Sequence, residues 1–152
     1  MNRDDRVTAL AEAVRVTRPG GLVVAAAISR FAGPLHFAAT RRWAEPITRE
    51  APTLLTDGRS NPGIGFTMAY FHRVEELADE FEAAGLTRVT VQGIEGPEWT
   101  TAEATADAPD ADVVLDHAFG IARIYGREPA LLAAHLLAAG VVPGAEGGTR
   151  AG

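Results

Sequence analysis

The apolar positions of the chain fall into blocks of different period. Val7, Leu10, Ala11 and Val14 recur at helical spacing. Asp4 and Asp5 stand where carboxylates favour a helix start, and Arg15 and Arg18 lie near the other end. Pro19-Gly20-Gly21 stops this helix, because proline cannot continue it and a glycine past the last turn can take the left-handed backbone that closes it. The period then changes. Leu22 to Ile28 is an apolar run without charge, bounded by Gly-Gly and Ser-Arg. Its brevity predicts a strand covered on both faces rather than a buried helical segment. Such a strand needs a partner on each side, and the helix before it supplies none.

Further along, Phe31, Leu35, Phe37 and Trp43 are bulky residues among small ones, with Pro34 and Pro46 set against any long helix. Short helices covering the end of the strand are expected here, as a lid or as aromatic packing, with another turn or two over Ile47 to Leu55. Asp57 to Gly63 is dense in turn formers and predicts a loop. Phe66 to Phe71 reads as short and extended or turn-like. From Val74 to Ala84 the signal is a helix: Val74, Leu77, Ala78, Phe81 and Ala84 share one face, and acidic residues fill most of the other. Gly85 ends it. Arg88 to Ile94 alternates, with Val89 and Val91 on one face, and predicts a strand that leaves through Glu95-Gly96-Pro97-Glu98-Trp99. Thr100 to Asp112 is polar, acidic and proline-broken, and reads as a mobile loop. A helix then carries Val113, Val114, Ala118, Ile121 and Ile124. Ala130 to Ala134 reads as helical, and His135 to Val142 as a final strand. This gives one domain over 1–142 and a glycine-rich tail over 143–152, expected to be disordered.

Composition narrows the function. The 152 residues suffice for one domain with a core, and 47% hydrophobic with 22% charged residues is ordinary for a globular protein. A formal charge of -6 argues against a nucleic-acid footprint. Every basic side chain is arginine, a bias that goes with the abundance of alanine and glycine. Without cysteine there are neither disulfides nor thiolate metal sites. No stretch is long enough to span a membrane, and the first residues lack the apolar core of a signal peptide, so a cytoplasmic location is the default.

The reactive inventory is thin. Ser29 and Ser60 are the two serines, and neither lies in a Gly-x-Ser-x-Gly elbow. His36, His72, His117 and His135 have no metal-ligand spacing. Gly63-Ile64-Gly65 begins like a dinucleotide fingerprint, but Met68 holds the third glycine's place and no strand precedes it. His72 is the most suggestive residue, just before the acidic helix, where it could serve as a general base or simply be satisfied locally. Glu95 leaves the end of a strand, the place where ligands gather in open α/β sheets, or is a solvated turn residue.

Several of these segments, in this order and spacing, resemble one family. Arg15 to Phe31 (RVTRPGGLVVAAAISRF) resembles the segment of class I S-adenosylmethionine-dependent methyltransferases in which a helix ending in RPGG leads into the fifth strand. Ala69-Tyr70-Phe71-His72-Arg73, Glu75-Glu76-Leu77 and Ala83-Ala84-Gly85-Leu86 resemble the helix that follows. Gly93 to Trp99 resembles the sixth-strand exit of a bacterial subgroup, and Glu128-Pro129 with His135-Leu136-Leu137 resembles the approach to the seventh strand. The resemblance runs from Val7 to Val142. It implies an α/β fold, a partial Rossmann-like methyltransferase domain whose three-stranded remnant sheet holds the fifth, seventh and sixth strands with flanking helices.

The family's cofactor loop comes after its first strand, and this chain begins downstream of it. No residue contacting S-adenosylmethionine therefore carries over, although the family implies that cofactor. What remains resembles the substrate side, with Ser29, Arg30, Phe31, Tyr70 and His72 as substrate-binding candidates for a small-molecule acceptor. The fifth strand would present an apolar, unpaired edge open to self-association. The resemblance leaves two functions open: a truncated methyltransferase half that is inactive alone, or a non-catalytic fragment acting as a structural or dimerisation module.

Overall fold

The computed structural model describes residues 2–39, 45–60, 62–63, 68–96, 107, 109–127 and 134–144. Among them the order is α1 (Arg3–Val16), β1 (Leu22–Ser29), α2 (Ala32–Ala39), α3 (Glu45–Asp57), β2 (Phe71–His72), α4 (Val74–Ala83), β3 (Thr87–Gly93), α5 (Ala111–Tyr125) and β4 (His135–Val141). The chain is α/β, and its sheet runs β2-β1-β4-β3. β4 is antiparallel to both β1 and β3, which are therefore parallel to each other, and β2 is parallel to β1.

Local chemistry accounts for the boundaries. α1 opens on a capping box, in which the Asn2 side chain accepts from the Asp5 amide at 2.9 Å and the Asp5 carboxylate accepts from the Asn2 amide at 3.1 Å. The helix ends at Val16, before the proline. Pro19-Gly20 then occupies the middle of a turn closed by Gly21 N–H donating to Arg18 at 2.9 Å, with Gly20 at φ +76°. Gly20 thus serves this turn, and its amide donates to Val142 at 2.9 Å, tying the entry of β1 to the exit of β4. Pro34 and Pro46 fall in the first turns of α2 and α3, where a missing N–H costs no helical bond. They start helices rather than break them, so α3 is longer than the turn or two expected. The helix expected over 130–134 lies in 130–133 outside the described residues, as do 100–106 of the expected loop and 145–152 of the tail.

The core sits on one face of the sheet. Val23, Leu77, Phe81, Leu86, Leu136, Ala138 and Val142 form it, with Leu10, Ala13 and Val14 of α1 packed against them. Phe81 is fully buried. α1 and α4 lie against each other on this face.

Two expectations need correction. β1 is not covered on both faces: Val23 is buried, whereas Leu22 and Val24 are 65% and 54% exposed and Ala26 is exposed. The unbroken apolar run hid this, because apolar residues occupy both faces whether or not both are covered. Among the described residues the sheet also has four strands rather than three. Phe71, the end of a stretch expected to be short and extended or turn-like, and the following His72 pair with Ile28 and Ser29. This fourth strand reaches only the last two residues of β1, so Leu22 to Ala27 are paired on the β4 side alone among the described residues. No helix among the described residues is long and apolar enough to cross a membrane.

Candidate functional site

The carboxyl ends of β1 and β2 converge on a buried ionic cluster. Arg30, the residue after β1, is 1% exposed. Its amide donates to the His72 carbonyl at 2.8 Å, continuing the β1–β2 pairing by one bond. Its guanidinium donates to the carbonyls of Phe71 (3.1 Å) and Thr56 (3.0 Å), to the Tyr70 hydroxyl (2.9 Å) and to Glu76 on α4 (2.5 Å). Arginine suits this position because its planar fork can hold several acceptors at once. Gly58 makes room for it: at φ +72°, its amide donates to Leu54 and its carbonyl accepts from Phe71 N–H at 2.7 Å. A Cβ there would collide with the Arg30 guanidinium and the Phe71 carbonyl.

Behind this lies a second ion pair. Arg6 of α1 makes a bidentate, buried pair with Glu80 of α4, its Nε lying 3.1 and 3.0 Å from the two carboxylate oxygens. The Arg6 guanidinium also stacks over the Tyr70 ring, 3.7 Å from its centre. His72 Nε2 meets the same carboxylate at 3.3 Å, and the Tyr70 and His72 rings pack edge to face. Burial works against the charge on Arg6, but Glu80 outweighs it and holds the guanidinium above its ordinary value. His72 goes the other way. Burial chiefly, with the Arg6 charge in support, pushes its imidazole below its ordinary value despite Glu80. A neutral His72 must donate from Nε2, because the carboxylate only accepts, and this leaves Nδ1 buried without a partner among the described residues.

Of the expected substrate-binding residues, Arg30, Tyr70 and His72 are brought together here. Ser29 is buried beside them, its hydroxyl accepting from the Phe31 amide at 3.3 Å, while the Phe31 ring lies under the Arg73 guanidinium at 5.8 Å. Arg6, Glu76 and Glu80 were not singled out from sequence. They belong to two helix faces that read as ordinary solvated charge, and only the topology brings them to one point. A cavity of about 480 Å³ opens on the outer side of the cluster, lined by Arg6, Tyr70, Glu76 and Glu80 together with Asp57 and Arg59.

A second polar group lies at the same end of the sheet but on its bare face. Glu95, just past β3, accepts from the backbone N–H of His135 at 3.0 Å and from its ring Nδ1 at 2.6 Å. Both side chains are partly exposed. Glu95 was expected either at a ligand-facing strand end or in a solvated turn, and the contact with His135 joins it to the first residue of β4. An open cavity of about 580 Å³ lies between α5 and the β3–β4 end of the sheet, and its wall includes Ile94, the residue before Glu95, and Leu137, two residues along β4 from His135. No model of a known protein family and no curated protein matches the chain.

Proposed function

We propose that this domain is the substrate-side half of an S-adenosylmethionine-dependent methyltransferase acting on a small molecule. The observation that carries the reading is the strand order β1-β4-β3, in which the last strand in sequence lies between two earlier ones. This is the arrangement of fifth, seventh and sixth strands that the resemblance implies, and it is not the order a simple meander would give. The bare face and the free edge of β1 add support. Strands in doubly wound sheets have neighbours on both sides and helices on both faces. Here Leu22, Val24 and Ala26 have neither a covering layer nor, on one side, a strand among the described residues. On this reading the cofactor-binding half docks there, and the protein's part in catalysis is to align acceptor and methyl group.

The test is calorimetric titration with S-adenosylmethionine, of the chain by itself and of the chain mixed or fused with the polypeptide encoded directly upstream. Binding is expected only in the second arm. Tight binding by the chain alone would refute the half-domain reading. Binding in neither arm would overturn methyl transfer and leave the alternative of a structural module pairing through the edge of β1, which light scattering would reveal as a dimer.

A further inference from the structure

We propose that Glu95 and His135 are the proton-accepting end of a binding site for an aromatic hydroxy acid. The ring would lie in the cavity between α5 and the bare face, with its carboxylate on Arg123 and Arg127. The protonation pattern of the pair comes from its geometry. An ionised carboxylate can only accept, so the 2.6 Å contact fixes the proton of His135 on Nδ1. The lone pair is then on Nε2, which has no partner among the described residues and belongs to a partly exposed side chain. A carboxylate that orients an imidazole and stabilises its protonated form is the arrangement by which histidine serves as a general base. Glu95 is itself held in place, because the same carboxylate also accepts the His135 amide and the Ile94 amide donates to the His135 carbonyl at 3.0 Å.

The location suits a ligand. His135 stands across from Ile28 at the carboxyl ends of β1 and β3, and shares the bare face with Leu137, two residues along β4. Leu137 is part of the cavity wall, with Gln92 and Ile94 from β3 and its exit, and Phe119 and Arg123 from α5. Apolar side chains offer a slot for a ring, and its polar groups are cationic or amide. Arg123 and Arg127 line the cavity without an ion-pair partner among the described residues, in a chain of net charge -6, so an anionic group on the ligand would find its complement there. The wall is fixed in position. Gly96, at φ +66°, packs against the backbone of Ala122, and the Gly126 carbonyl accepts from Gly93 N–H at 3.0 Å, joining α5 to the exit of β3.

In the proposed step His135 Nε2 takes the proton of the ligand hydroxyl, and Glu95 holds the resulting imidazolium through Nδ1–H. Only the bond formation after this proton transfer rests on the methyl-transfer reading. There the freed oxygen lone pair forms the bond to the methyl carbon, and the electron pair of the breaking carbon–sulfur bond stays on sulfur.

The test needs no methyl donor, so its failure is distinguishable from failure of that reading. The full chain is titrated with 4-hydroxybenzoate, benzoate and methyl 4-hydroxybenzoate, by calorimetry and by nitrogen-15 NMR of the imidazoles. The expected result is that 4-hydroxybenzoate binds about tenfold more tightly than either analogue, the size of one hydrogen bond to a charged or strongly polarised group. The His135 Nε2 resonance should move with 4-hydroxybenzoate and not with benzoate. R123Q/R127Q should erase the preference for the acid over its ester, and E95Q should transfer part of the ring proton to Nε2 in the free protein. Equal binding of all three ligands, no binding at millimolar concentration, or an unmoved His135 would each overturn the proposal. The analogue comparisons use the unaltered protein, so these outcomes do not depend on any variant folding.

Discussion

The two faces of the sheet carry similar apolar residues and have opposite fates. On one, Val23, Leu136 and Ala138 disappear under α1 and α4, and an ionic cluster of Arg6, Glu80, Arg30 and Glu76 closes the end. On the other, Leu22, Val24 and Leu137 stay at least a third exposed, and α5 reaches only the β3–β4 end. Apolar content therefore does not distinguish them. What distinguishes them is that α1 and α4 each carry an apolar stripe aimed at the first face, whereas nothing among the described residues aims at β1 on the second. An uncovered face of this kind marks an interaction surface more readily than a solvated one.

The largest expected effect tests that contrast directly. Phe81→Ala removes a fully buried ring from the covered face and should cost about 3–5 kcal/mol in chemical denaturation. Val24→Ala, on a side chain 54% exposed, should stay within about 0.5 kcal/mol. Equal losses would show that the bare face is covered in solution. Of similar size is Arg6→Ala, which strands Glu80 in a buried site and should cost about 3–5 kcal/mol. Replacing both partners, as Arg6→Met with Glu80→Leu, should recover only part of that loss, because His72 Nε2 then loses its acceptor in a buried site. A smaller effect is expected at Gly140. A Cβ there would stand 2.9 Å from Leu86 Cβ and 3.2 Å from Phe81 Cδ1, so Gly140→Ala should overpack the covered face by about 1–3 kcal/mol.

How far the sequence could anticipate this differs between the two faces for a physical reason. α4 was legible because its apolar and acidic residues separate cleanly at helical period, and β3 because Val89 and Val91 alternate with polar neighbours. The one-sided burial of β1 was not legible, since Leu22-Val23-Val24-Ala25-Ala26-Ala27-Ile28 contains no polar residue to mark an outer face. β2 was missed as a strand because two residues are too few for any period. Among the site candidates, Arg30 and Tyr70 were reached only through the family resemblance, and His72 also through its place just before the acidic helix. Their partners Arg6, Glu76 and Glu80 were not, because pairing across 74 residues, as between Arg6 and Glu80, leaves no local trace.

The smallest effect is the one that sharpens the contrast most, because it separates the ionic end of the covered face from its apolar middle. His72 is neutral in the fold, held below its ordinary value of 6.5 chiefly by burial, with the Arg6 charge adding and Glu80 and Glu76 opposing. In the unfolded chain it takes up a proton once the pH falls below about 6.5, so the unfolded state binds more protons in that window and stability falls with acidification. The contribution is fully present above pH 6.5 and is lost as the pH drops toward the lowered value of the folded protein. One titrating group supplies at most about 1.4 kcal/mol per pH unit. Denaturant melts at pH 7.5 and 5.5 should therefore show a loss that His72→Gln removes and Val24→Thr leaves untouched. If His72→Gln leaves the slope unchanged, His72 takes up its proton in the fold at the same pH as in the unfolded chain, and burial does not hold it below its ordinary value.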